Sequence, residues 1–81
     1  MSKEIHTPRH DALRKLLKLE RVKAELSQTE LAKRLGWKQA TVSDIERGNK
    51  IVNVLELIAI AQALNFDPND IIKAISKISD K

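Results

Sequence analysis

Leu26-Ser27-Gln28-Thr29-Glu30-Leu31-Ala32-Lys33-Arg34-Leu35-Gly36-Trp37-Lys38-Gln39-Ala40-Thr41-Val42-Ser43-Asp44-Ile45-Glu46-Arg47-Gly48 reads as two short helices joined by a tight turn. Ser27 is a good N-cap, and Glu30 stands three residues later, the spacing of a capping box. Leu31, Ala32 and Leu35 form the apolar stripe of a helix of about two turns. Gly36 can take the left-handed conformation that closes it. In the second helix Val42 and Ile45 face inward. Gln39, Ala40, Ser43, Asp44 and Arg47 therefore share the opposite face.

That outer face carries donors and acceptors on short side chains. A major groove admits a helix of this kind, and such groups reach base edges. At these residues the chain closely resembles the helix-turn-helix of the phage repressor/Cro (XRE-like) family of bacterial DNA-binding proteins. Gln28 opens the first helix, Ala32 sits where a larger residue would push the helices apart, and Gly36 makes the turn. Val42 packs beneath the second helix, and Glu46-Arg47-Gly48 closes the unit. The likeness continues into Leu55 to Pro68, so it spans about two thirds of the chain. It implies an all-α, compact five-helix lambda-repressor-like DNA-binding domain.

The resemblance also implies roles. Arg21 in the preceding helix is expected to form a partly buried ion pair with Glu46, orienting one helix on the other. Gln28 is expected on a backbone phosphate and against Gln39. For base contacts the residues suggest Gln39, whose amide can bridge N6 and N7 of adenine. Ala40 could meet a thymine methyl, and Ser43 could read either base type. Asp44 could accept from cytosine or repel wrong sites. Thr41, Arg47, Asn49 and Lys50 are expected on phosphates, where they position without specifying. Two residues depart from the family pattern. Lys38 stands where a Ser or Thr cap is usual, so the cap is lost, although lysine can reach a phosphate. Glu25 stands where glycine is common, so it must take a left-handed conformation or end the first helix differently.

Composition fits this reading. The chain has 81 residues, no cysteine, two glycines, two prolines and two aromatic residues, Trp37 and Phe66. One small helical domain is the natural count, and absence of cysteine suits a reducing cytoplasm. Net charge is +4: residues 1–26 contribute +3, residues 27–53 contribute +2, and residues 54–81 contribute −1. The positive charge thus lies with the helix-turn-helix, as phosphate binding requires. The most apolar run, Val54 to Leu64, contains Glu56 and Gln62 and is too short to span a bilayer. The N-terminus has no apolar core like a signal peptide's.

Outside the central stretch, residues 1–6 are expected to be a mobile arm, with Lys3 and His6 within reach of DNA, and residues 7–81 a single domain. Thr7-Pro8 should cap a first helix running to about Ala24, with Leu13, Leu16, Leu17 and Ala24 inward. Asn53 and Glu56 form a second capping box. The helix after it is apolar nearly all round and is expected at the centre of the domain. Asn65 should stop it, Phe66 should plug the core, and Asp67-Pro68 should start a last helix, about 68–79. Its Ile71, Ile72, Ile75 and Ile78 look surplus to one domain. They are expected to form a dimer interface, where the resembling proteins also dimerise.

Catalytic machinery is not suggested. No nucleophile–base set stands out, and the two glycines make no phosphate-cradling loop. His6 and His10 have metal-like spacing, but Pro8 intervenes and no third ligand is near. The expectation is a cytoplasmic, cofactor-free, non-enzymatic protein that binds duplex DNA as a dimeric repressor. Two other readings stay open: an antitoxin whose second surface holds a toxin, and an adaptor that keeps the fold without binding DNA.

Overall fold

Local chemistry accounts for most helix boundaries. The computed structural model describes residues 6–80, so Lys3 and most of the expected arm lie outside the described residues. Five helices follow in order: α1 (Pro8–Lys23), α2 (Gln28–Leu35), α3 (Gln39–Arg47), α4 (Val54–Leu64) and α5 (Pro68–Ser76). Thr7 caps α1, its hydroxyl accepting from the His10 N–H at 3.1 Å, with Pro8 at the first helical position. Ser27/Glu30 and Asn53/Glu56 close both reciprocal bonds of a capping box. Asp67 caps α5. Gly36, Gly48 and Asn65 end α2, α3 and α4 in the left-handed conformation.

Two departures foreseen at Lys38 and Glu25 are present. Lys38 precedes α3 without a side-chain cap bond. Glu25 has φ +61°, so the corner between α1 and α2 is turned by a non-glycine residue in the left-handed region. Two backbone bonds hold that corner, Glu25 N–H to Val22 O at 2.9 Å and Leu26 N–H to Arg21 O at 3.2 Å.

Every helix contributes to one core. Leu17 comes from α1, Leu31 and Ala32 from α2, Val42 and Ile45 from α3, Leu57, Ile60 and Leu64 from α4, and Ile71 from α5. Leu13, Leu16, Leu35, Trp37 and Phe66 pack around it, half-buried. Trp37 thus covers the edge of the core at the α2–α3 turn, as its position suggests.

One expectation is corrected here, and another is set beside what the described residues do within the chain. Helix α4 is not enclosed: it packs against α2 and α5, while Val54 is 66% and Leu55 77% exposed. An apolar sequence shows what a helix could bury, but five short helices cannot surround one another. Helix α5, by contrast, uses its stripe within its own chain. Ile71 is 4% exposed, Ile75 and Ile78 are half-buried, and only Ile72 of the four isoleucines stands open. Helix α5 packs on α1 as well as on α4, and polar contacts lock it to α1. Arg9 donates from Nε to Ile78 O at 2.7 Å, and the Arg9 N–H donates to the Asp80 carboxylate at 2.8 Å. That carboxylate sits at the N-terminus of α1, where the helix dipole favours an anion.

Candidate nucleic-acid interface

Helix α3 is amphipathic in the sense the sequence suggested. Val42 and Ile45 are 2% and 3% exposed, whereas Gln39 and Ala40 lie open to solvent. Thr41, Ser43 and Asp44 are half-buried, Arg47 and Asn49 are exposed, and Lys38 is exposed beside the start of the helix. Gln39, Ala40, Ser43, Asp44 and Arg47 thus lie on the side of α3 opposite its buried Val42 and Ile45, and Gln28 at the start of α2 reaches Gln39.

A continuous polar chain runs behind that face. Arg21 and Glu46 form a bidentate pair, Nε to Oε2 at 2.7 Å and Nη2 to Oε1 at 3.0 Å. Both side chains are nearly enclosed, at 11% and 6% exposure. The third guanidinium bond goes to Leu26 O at 2.7 Å, so Arg21 ties α1 to α3 and to the chain entering α2. The hydrogen bond to Glu46 pushes the Arg21 pKa up against the opposing effect of burial. Gln28 then donates from Nε2 to Glu46 Oε1 at 2.9 Å, and Gln39 donates from Nε2 to Gln28 Oε1 at 2.7 Å. The Arg21–Glu46 pair and the Gln28–Gln39 contact are the two links that the resemblance implied. The Gln28–Glu46 bond joining them is an addition.

Three features lie beyond the sequence reading. Arg14 donates to Glu46 O at 3.1 Å, placing a cation at the C-terminal end of α3, where the dipole favours it. Its side chain lies across Gly48, so a Cβ there would come within 3.0 Å of Arg14 Cδ, on a backbone already at φ +86°. Gly36, also left-handed, has no such neighbour within 4 Å. Asp44 accepts from Arg47 Nη2 at 2.6 Å, so the ambiguous acid and the phosphate candidate pair with each other on the free protein. Lys50 Nζ lies 3.0 Å from Glu56, the same carboxylate that closes the α4 capping box. Lys50 would have to leave that partner to reach a phosphate. The Asp44/Arg47 pair was visible as a spacing of three on a helix. The bond from Arg14 to Glu46 O spans 32 residues and gave no local signal; Arg14 also pairs with Asp11 three residues before it, and Lys50 meets Glu56 across the six residues of the turn into α4.

The His6 and His10 rings stand 6.4 Å apart, and among the described residues no group of three His, Cys, Asp or Glu could hold a metal ion. No helix in the described residues is long and apolar enough to cross a membrane.

A short amphipathic helix, uncovered on its polar side and braced by a capped neighbour, defines a DNA-binding helix-turn-helix domain. Comparison with known proteins agrees. The Helix-turn-helix family model matches residues 17–71, and the chain belongs to that family. It is 41% identical over 54 residues to the ImmF control region 10 kDa protein of Bacillus phage phi105, a stretch covering 67% of this chain and 60% of that one. The structure is similar to an XRE-family like protein from Pseudomonas syringae pv. tomato, with TM-score 0.78 and 32% identity over 85% of this chain and 84% of that one. It is also similar to the restriction-modification controller protein C.AhdI from Aeromonas hydrophila, with TM-score 0.71 and 27% identity over 76% of this chain and 94% of that one. The domain is XRE-like in class, and its family is one of DNA-binding helix-turn-helix regulators rather than of enzymes; the chain spans about three fifths of the length of the phage relative it matches.

Proposed function

We propose that the chain represses transcription by occupying a near-palindromic operator as a two-fold dimer, in the cytoplasm of a bacterium and without a cofactor. The observation that carries this reading is the exposure of Gln39 and Ala40 on a helix whose Val42 and Ile45 are buried. Gln39, Ala40, Ser43 and Asp44 would meet base edges. Gln28, Lys38, Thr41, Arg47 and Asn49 would meet phosphates, with Lys50 joining them if it leaves Glu56. The phage control-region and restriction-modification controller names of its relatives support a regulatory role.

We place the dimer surface at the start of α4 in preference to the α5 isoleucines first expected there. Ile51, Val54, Leu55 and Ile58 are 53%, 66%, 77% and 39% exposed; on α4, Ile58 lies three and four residues from Leu55 and Val54 and so shares their face, and Ile51 lies in the segment that leads into the helix. Together they leave roughly 400 Å² of apolar surface open, the size of the largest patch on an ordinary monomer, which is often functional. A second copy is the fitting occupant, because the patch directly follows α3 and a two-fold axis through it would set two α3 helices beside each other. Two such patches bury roughly 800 Å², below the usual 1,200–2,000 Å² of a stable complex. The dimer is therefore weak in solution and completed on DNA.

Selection of bound duplexes from a random pool tests both parts. The expected product is an inverted repeat whose half-sites lie about 34 Å apart, one helical turn. Its affinity should fall steeply with salt. A single unrepeated half-site would refute the dimer, and no enriched duplex at low salt would refute DNA binding.

A further inference from the structure

We infer that the buried Arg21–Glu46 pair, which never reaches DNA, selects adenine over guanine at the base read by Gln39; this rests on the DNA-binding reading above. The deduction uses donor and acceptor chemistry along one chain of bonds. Glu46 faces the guanidinium of Arg21 with both oxygens, at 2.7 and 3.0 Å. A carboxylate in that setting only accepts. Gln28, 2.9 Å away, must therefore turn its Nε2 toward Glu46. Its Oε1 is then left facing Gln39, 2.7 Å off, so Gln39 must donate one of its two N–H bonds inward. Each amide orientation in the series follows from the one before it.

What remains on Gln39 is one N–H and its Oε1. Adenine offers an acceptor at N7 and a donor at N6, which match those two groups. Guanine offers two acceptors, N7 and O6, so one would oppose the Gln39 oxygen. If Gln28 turned over, Gln39 would accept from it and present two N–H bonds outward, which suits guanine. Glu46 prevents that by having no proton to give. Arg21 and Glu46 are thus positioning residues for specificity, acting through Gln28.

The test is duplex selection from a random pool with wild type, Gln39→Ala, Gln28→Ala and Glu46→Gln. In wild type, Gln39→Ala should identify the dependent position, where adenine exceeds guanine by roughly ten- to a hundred-fold. Glu46→Gln can donate to Gln28 and removes one bar to the reversal, while a phosphate on Gln28 Nε2 still opposes it, so guanine should gain on adenine by at least about three-fold at that position alone. Gln28→Ala leaves the ion pair intact and should bring the ratio below about three-fold, a result that stands even if Glu46→Gln fails to fold. A purely structural or phosphate role would lower affinity on all duplexes and leave the base ratio untouched; that outcome overturns the inference. An enriched site with no position dependent on Gln39 also overturns it while leaving DNA binding in place. Absence of any enriched duplex with wild type overturns both.

Discussion

Replacing Arg21 with Met should cost the domain a large part of its stability. The guanidinium makes three bonds, two to Glu46 and one to Leu26 O. Methionine fills much of the same space, so the loss is chiefly electrostatic. It leaves a carboxylate whose side chain is only 6% exposed, with the Gln28 amide as its remaining side-chain donor. Stranding a buried charge costs about 3–5 kcal/mol. A chain of 81 residues has roughly 4–12 kcal/mol in total, so Arg21→Met should be near the threshold of folding. Urea unfolding followed by far-UV circular dichroism measures this directly. Arg21→Met/Glu46→Leu should recover most of the loss, because an apolar pair of similar volume is often neutral or better than a buried ion pair. Base preference should not recover with it, since Gln28 has lost its acceptor. A loss below about 1 kcal/mol for the single variant is the value of an exposed pair and would refute the reasoning.

Two further outcomes are expected. Glu25→Gly removes a left-handed cost of about 1–2 kcal/mol and returns about 0.5–1 kcal/mol as unfolded-chain entropy, so the urea midpoint should rise slightly; a fall would mean the Glu25 side chain stabilises that corner. In acid, Glu30 and Glu56 matter, because bonds from the N–H groups of Ser27 and Asn53 hold both carboxylates below their ordinary range. A depressed folded-state pKa contributes stability that is complete above the unfolded value, about 4.3, and is lost as pH falls through the lower folded value. Glu30→Gln/Glu56→Gln keeps the capping geometry without the charge, and should flatten the decline of the thermal midpoint below that pH; an unchanged decline would refute the assignment.

How far the sequence could be read divides by distance along the chain. Caps, turns and the inward face of α3 were legible because each depends on residues within four of one another. Ser27 with Glu30, Gly36, and Val42 with Ile45 are all of this kind. The Arg21–Glu46 pair spans 25 residues and was legible only through family resemblance. Periodicity said less about α4 and α5, for a common reason. It identifies an apolar face without saying what covers it. Leu55 and Ile71 look equally buried in sequence, yet one is 77% exposed and the other 4%. What separates them is the docking of α5 on α1 through Arg9, Ile78 and Asp80, which links residues about seventy apart.

The helix that would read DNA is among the least self-sufficient parts of the domain. Helix α3 has nine residues, fewer than the ~12–15 at which even a favourable isolated helix becomes marginal. Its first turn lacks a side-chain cap, because Lys38 cannot accept. Its order must therefore come from outside. Val42 and Ile45 anchor it in the core, Arg14 and Arg21 from α1 bind the Glu46 main chain and side chain, and Gln28 from α2 holds Gln39 at the opposite end. Two of the cations of α1 thus serve α3 rather than solvent or phosphate, which is why net charge alone was a poor guide to them. Fixing both ends of α3 from neighbouring helices leaves its outer side chains with two bonds within the protein, Gln39 to Gln28 and the exposed Arg47 to Asp44. Specificity can then vary at Ala40, Ser43 and Asp44 with little effect on folding, while Gln39 remains coupled to the interior.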